Sequence, residues 1–267
     1  MTFTKVKQER LADAITRQLE SLILEGVLRP GDRLPPEREL SQELDVSRPS
    51  LREALQKLET AGLVETRHGG GTFIKNAFAS VLSDPLTDLF ERHPEAALDF
   101  VEFRMTLDGT VAYYAALRST EEDRAILTQR FRAIEASHAG DDPARDAERD
   151  AEFHLAIAEA SHNVVLLHVM RSLLELLRKG VIFNRNVLYG QQGARELLLE
   201  QHRLIYENIM KRDAEAARAA AQAHMRHVDK VLRKERVTEA RADVARRRLA
   251  RYAADVPELD GGAQTRS

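Results

Sequence analysis

Between Pro35 and Ile74 the apolar period of the chain changes from helical to extended, and this change constrains the fold more than any other feature. A helix opens at Pro35-Pro36-Glu37, where proline suits a first turn, and runs through Arg38 to Leu44. A short turn follows, Asp45-Val46-Ser47. Ser47 is a fit N-cap for a further helix that carries Leu51, Ala54, Leu55 and Leu58 on one face and stops at Ala61-Gly62. Leu63 to Ile74 then reads as two short strands around Gly69-Gly70-Gly71, a β-hairpin. An earlier helix, Glu9 to Leu24, places Leu11, Ala14, Ile15, Leu19, Leu22 and Ile23 at helical spacing and ends at Gly26 and Arg29-Pro30-Gly31. Helix, turn, helix and hairpin together predict a winged helix-turn-helix over residues 1–76.

Such a unit reads DNA by the N-terminal end of its second helix. Here that end presents Ser47, Arg48, Ser50 and Arg52. Arg48 and Arg52 share a face, and their planar forks suit a guanine edge or a phosphate. The competing reading is a pair of ordinary solvated charges, which the preceding turn and following wing disfavour. Bulk charge does not decide the matter, because net charge is −3. Residues 1–76 are neutral, residues 77–225 carry a net −7, and residues 226–251 carry a net +6. DNA contact must therefore come from a local cluster.

A connector with Pro85 and Pro94 occupies 77–94. Beyond it the periodicity predicts helices near 95–117, 120–139, 144–161, 164–188, 193–211 and 213–236, without strand signals. The fold expected is mostly α: a winged helix-turn-helix with a small hairpin wing, then an all-helical antiparallel bundle over 95–236. The segment 237–267 reads as a basic tail, helical from Val228 to Arg251 and disordered from Gly261. A solvated terminal helix is favoured there over a DNA contact. The 267 residues hold no cysteine, so disulfides and thiolate metal sites are excluded. No apolar run reaches the ~18 residues of a membrane span, and no signal-peptide core is seen, so a cytoplasmic location is expected.

One polar constellation stands out in the bundle. Asp150 and His154 lie one turn apart on one helical face, with His202 and His224 on later helices. Three imidazoles and a carboxylate suit Zn²⁺, Ni²⁺ or Mn²⁺. By spacing alone His227 serves as well as His224, and surface histidines on charged helices are common.

The run L-R-P-G-D-R-L-P-P-E-R-E-L-S, then D-V-S-R-P-S-L-R-E-A-L-Q-K-L-E-T-A-G-L-V and G-G-G-T-F, closely resembles the winged-helix signature of the GntR family over residues 8–75. The resemblance implies that Arg38, Arg48 and Arg52 are DNA-contacting arginines. It implies hydroxyl contacts from Ser47 and Ser50, and a wing tip at His68 and Gly69 that enters the minor groove. Pro49 departs from the small polar residue frequent there.

Residues 98–232 resemble the helical effector (FCD) domain of the FadR branch, in F-R-M-T-L-D-G-T-V-A-Y-Y-A-A-L-R, D-A-E-F-H-L-A-I-A-E-A-S-H-N and Q-H-R-L-I-Y-E-N-I. The branch implies one divalent metal on Asp150, His154, His202 and His224, with Arg104 gripping an effector carboxylate. Left to spacing alone, Arg104 and Asp108 read as a surface i,i+4 pair. Asn163 reads equally as a pocket residue and as a helix N-cap. Further segments, D-P-L-T-D-L-F among them, resemble the group that includes the pyruvate dehydrogenase complex repressor and its lactate- and glycolate-responsive relatives. That implies pyruvate, lactate or glycolate as effector. The Asp-x-x-x-His pair is a mark of the lactate and glycolate types, which argues against simply copying pyruvate.

A repressor of pyruvate- or lactate-linked metabolism, released by a small 2-keto or 2-hydroxy acid, is the reading that unites these features. A helical metalloenzyme is the second reading, but no separate base, nucleophile or phosphate loop supports it. A plain architectural DNA binder would leave the polar cluster unexplained. The expected partners are near-palindromic operator DNA and a second copy of the chain, because a helix-turn-helix usually works as a two-fold dimer.

Overall fold

The structure, a computed structural model, describes residues 10–67, 69–76, 93, 96–138, 140, 142–178 and 193–255. Its N-terminal part holds three helices: α1 (Leu11–Leu24), α2 (Glu37–Glu43) and α3 (Arg48–Thr60). α1 buries Ala12, Ile15, Leu19 and Ile23, whereas Leu11 and Ala14 of the stripe expected from the sequence are exposed. α3 starts where Ser47 caps it, the hydroxyl accepting from the Ser50 backbone N–H at 3.3 Å. Leu51, Ala54, Leu55 and Leu58 meet α1, Leu34 and Leu40 in one core. Strand β1 (Val64–Arg67) pairs antiparallel with β2 (Gly71–Ile74), with Val64 opposite Ile74 and Arg67 opposite Gly71. Gly69 and Gly71 both have positive φ, which the tight turn of the hairpin requires and a Cβ would strain. Arg33 bridges to Phe73 on the outer edge of β2, an addition that no period in the sequence announces.

Six helices follow: α4 (Ala96–Arg118), α5 (Glu121–His138), α6 (Pro143–Ala160), α7 (Val164–Arg178), α8 (Ala194–Met210) and α9 (Ala214–Asp255). α4 and α9 run antiparallel. Phe100 and Val101 at the start of α4 share a cluster with Val228, Val231 and Leu232 of α9, whereas Tyr113 near its end lies under the Arg218 guanidinium. The main core collects Leu127, Phe131, Phe153, Met170, Ile205 and Ile209, with Phe131 stacked on Tyr206 at 4.7 Å. The bundle is thus built around α6 and α8, whose inner faces carry the polar cluster described below.

Two helix ends differ from the sequence expectation or escape it. The helix expected to end near residue 236 and the helical tail expected from Val228 to Arg251 form one unbroken element, α9, which continues to Asp255. Between Ala214 and Asp255 there is no glycine or proline, and alanine, arginine and glutamate dominate, so nothing breaks the helix. The expected extension of α7 to residue 188 lies outside the described residues, as do most of the connector and the end expected to be disordered. Among the described residues no helix is long and apolar enough to cross a membrane.

Candidate metal centre and nucleic-acid interface

α6 carries Asp150 and His154 inward, α8 brings His202, and α9 brings His224. One nitrogen of each imidazole and one Asp150 oxygen lie within 4.8 Å of one another. His154, His202 and His224 are each 2–4% exposed. The rings crowd: centroids of His202 and His224 stand 4.6 Å apart, and those of His154 and His202 5.3 Å. Phe153 closes the cluster, its ring edge-on to His154 and His202. His227, equivalent to His224 by spacing, is only half-buried and not part of the cluster.

Buried donors normally find partners, and here several do not. His154 Nε2 and both ring nitrogens of His202 are buried without a hydrogen bond. His202 Nε2 nevertheless sits 2.8 Å from Asp150 Oδ1, and His154 Nε2 3.8 Å from the same oxygen. Close approach without hydrogen-bond alignment is what lone pairs aimed at a common point produce. His224 is oriented from behind, its Nδ1 3.0 Å from Gln201 Oε1. A carboxamide holding the far nitrogen fixes the ring and frees Nε2 for the cluster.

The electrostatics favour a cation there. Burial pushes the Asp150 carboxyl up, but the facing imidazoles of His202 and His154 outweigh it and hold Asp150 below its ordinary value. Burial pushes His154 down to about 3, with the Asp150 charge opposing and the charges of His202 and Arg104 assisting. His224 lies well below its ordinary value for the same first reason, burial. Neutral imidazoles with lone pairs free are the form that binds metal. The sign of the pH dependence follows. An unfolded His154 takes a proton near 6.5 and the folded one only near 3, so stability is full above pH 6.5 and falls as pH drops between them. The chelated protein is accordingly expected to melt lower at pH 5 than at pH 7.5; equal melting temperatures would contradict the buried neutral cluster.

Arg104 on α4 is buried, its Nη2 donating to Asp108 Oδ2 at 2.7 Å. The pair foreseen at the surface is therefore internal, the two side chains being 5% and 2% exposed. Arg104 Nε and Asp108 Oδ1 stay without partners. Burial raises the Asp108 carboxyl, against the lowering effect of Arg104. Asp108 was visible in the sequence only as a surface partner, since nothing there shows that the outer and inner faces of α4 are exchanged. A cavity of about 20 Å³ reaches Asp150 and His202, bordered by Asp146 and Arg195, whose side chains are 2.7 Å apart. The sequence offered no signal for that border, because Asp146 and Arg195 are 49 positions apart. Asn163 caps α7, its carboxamide oxygen accepting from the Val165 and Leu166 N–H groups at 3.1 Å.

On the reader, Arg38, Arg48, Ser50 and Arg52 stand on α2 and the first turn of α3. Arg38, Arg48 and Arg52 are exposed, and Ser47 and Ser50 hydroxyls lie 2.8 Å apart. Glu37, which the sequence reading passed over, holds the arginines in place. Its Oε2 accepts from Arg52 Nε at 2.7 Å and lies 3.8 Å from Arg48. Gly69 is exposed at the wing tip; His68 lies outside the described residues.

The family described as "Bacterial regulatory proteins, gntR family" matches residues 11–74, and the FCD domain matches residues 99–227. An Escherichia coli (strain K12) protein named as the regulatory protein of the L-lactate dehydrogenase operon is 36% identical over 233 residues, covering 86% of this chain and 89% of its own length. The Glc operon transcriptional activator of the same organism is 33% identical, covering 85% and 91%. The solved structure of Streptococcus agalactiae GntR superposes with a TM-score of 0.51 at 28% identity, covering 82% of this chain and 99% of that one.

Proposed function

The chain belongs to the GntR family of bacterial regulatory proteins and carries an FCD domain, and from that premise we propose that it is a repressor whose hold on its operator is released by a small 2-hydroxy or 2-keto acid. That it is a DNA-binding regulator rather than an enzyme follows from the family and from the relatives, all of them transcription regulators. The observation that carries the effector reading is the His154–His202–His224–Asp150 cluster beside the buried Arg104. One relative's name points to lactate metabolism, and lactate shares with glycolate and pyruvate a carboxylate next to an oxygen-bearing carbon.

Asp150, His154, His202 and His224 fit a divalent metal on the evidence of their convergence and of the buried His154 and His202 nitrogens that make no hydrogen bond. Donors around one such ion stand at most about 4 Å apart, so the observed spread needs only slight closure. Nitrogen-rich ligation suits Zn²⁺, Ni²⁺ or Mn²⁺. Held by these four residues, the ion would supply Lewis-acid attraction for the carboxylate and the 2-oxygen of an acid. Arg104 contributes a guanidinium with an uncommitted Nε for that carboxylate, and Asp108 holds the fork. Present space holds about one water, so an acid must part the helices bordering the cavity. Binding that opens one state and not the other is what shifts a two-state equilibrium.

Thermal melting of the metal-loaded protein with glycolate, L- and D-lactate and pyruvate tests the site. One of these acids should raise the melting temperature, and Arg104→Lys should remove that rise, because an ammonium cannot reproduce the fork. Lysine rather than alanine is chosen because alanine leaves Asp108 buried without its charge partner. An undiminished shift in Arg104→Lys would contradict the role given to Arg104. Operator binding without ligand is expected to stay intact in this variant.

The reading places two readers on a two-fold operator, so the working form is a homodimer in the cytoplasm. Arg48, Arg52 and Arg38 grip DNA from α3 and α2, with Ser47, Ser50 and the wing tip at His68 and Gly69 completing the contact.

A further inference from the structure

The reader and the bundle meet through a small set of polar contacts, and one residue stands at their centre. Glu159, in the last turn of α6, accepts from Arg29 of the reader, Nη2 to Oε1 at 2.9 Å. The same oxygen lies 3.6 Å from Arg171 of α7. Three residues earlier on α7, the His168 Nε2–H donates to the Leu24 carbonyl at 3.1 Å. Asn76 donates to Glu175 at 2.9 Å at the far end of the joint. Gly26 permits the approach. It has a φ of +78°, and a Cβ there would come within 3.0 Å of Leu167 and 3.1 Å of Arg171. Between the domains remains a cleft of about 660 Å³, with Arg67 and Lys75 on one side and Ala151, Leu155 and Arg171 on the other.

α6 is what the joint and the buried cluster have in common. Asp150 and His154 form one i,i+4 stripe on this helix; Ala151, Leu155 and Glu159 form the neighbouring one at i, i+4 and i+8. The first stripe faces the cluster, and Ala151 and Leu155 of the second border the cleft. A helix moves as a rigid element, so a displacement of α6 at the cluster is delivered to Glu159 about a turn and a half from His154. Polar contacts of this size between domains permit relative movement, unlike a large apolar seam.

We propose that Glu159 is the latch that holds the DNA reader against the bundle through Arg29 and Arg171, and that α6 carries the state of the buried cluster to it. The second half rests on the effector reading given above; the first does not. Burial pushes the Glu159 carboxyl up, and the charges of Arg29, Arg171 and Arg130 oppose that shift. Glu159 and Arg29 are positioning residues. Neither belongs to the cluster, and Arg29 lies on the loop after α1, away from the arginines of α3.

The chain has no cysteine, so spin labels at Gln18→Cys and Glu196→Cys, both exposed positions, report the distance between reader and bundle in the full-length protein. Diluting labelled chains with unlabelled ones isolates the intrachain distance. Glu159→Gln should broaden or shift that distance, and Arg29→Lys, which keeps the charge facing Glu159, should leave it near the parent's. In parallel, the ratio of DNA dissociation constants with and without the active acid should collapse from the range of about 5- to 150-fold to within about twofold in Glu159→Gln. Arg29→Lys should keep most of that ratio and Arg29→Ala should lose it, a split that a merely structural lesion would not give. An unchanged distance in Glu159→Gln overturns the latch. A changed distance with an unchanged acid response overturns the coupling through α6. A wild-type protein that ignores every acid while Glu159→Gln shifts the distance would contradict the effector reading and leave the latch supported.

Discussion

Arg48→Ala and Arg52→Ala are each expected to weaken operator binding by about ten- to a hundredfold, the loss typical of a contact to a base edge or a desolvated phosphate. Both side chains are more than half exposed, and both pair with Glu37. Exposed ion pairs contribute little to stability, so these variants should fold and melt like the parent. The two arginines need not do the same work. A phosphate contact lowers affinity on every sequence and flattens the salt dependence by about one ion, whereas a base contact relaxes preference at one position. Titration against operator and unrelated DNA at several salt concentrations separates them. Loss below twofold for both would remove α3 from the groove.

Removing the metal is expected to be the larger perturbation of stability. At a free ion concentration a thousandfold above the dissociation constant, linkage amounts to about 4 kcal/mol. In a domain of this size that corresponds to a melting shift of roughly 10 °C. Chelation should lower the bundle's transition by that order, and readdition of Zn²⁺, Ni²⁺ or Mn²⁺ should restore it. His202→Ala should melt at one temperature with or without ion, since His202 sits closest to Asp150. His227→Ala is the control and should respond like the parent, because His227 lies outside the cluster. A parent protein indifferent to chelator and to added ions would mean that the unpaired nitrogens of His154 and His202 serve packing alone.

The winged helix was legible because its punctuation is local. Ser47, the glycines of the hairpin and the stripe Leu51–Leu58 each act within a few residues of themselves. The four cluster residues were legible by chemistry and by resemblance; the resemblance chose His224 over His227, because spacing does not give the rotation of α9. Arg104 and Asp108 show the complementary limit. Their spacing announces a pair correctly, yet whether that pair faces water or core depends on α9 lying across α4. Glu37 and Glu159 were invisible for a plainer reason. An acidic residue on a polar helix face looks like any other until the fold brings a distant arginine to it, 15 positions away for Arg52 and 130 for Arg29.

The most direct test of a ligand-controlled operator grip is binding of the metal-loaded protein to the DNA upstream of its own gene at fixed salt, with and without glycolate, L- and D-lactate and pyruvate. One of these acids should weaken binding by between about 5- and 150-fold, the span of ordinary allosteric coupling. Equal affinity with every acid at saturation, by protein that binds this DNA specifically, would contradict the account.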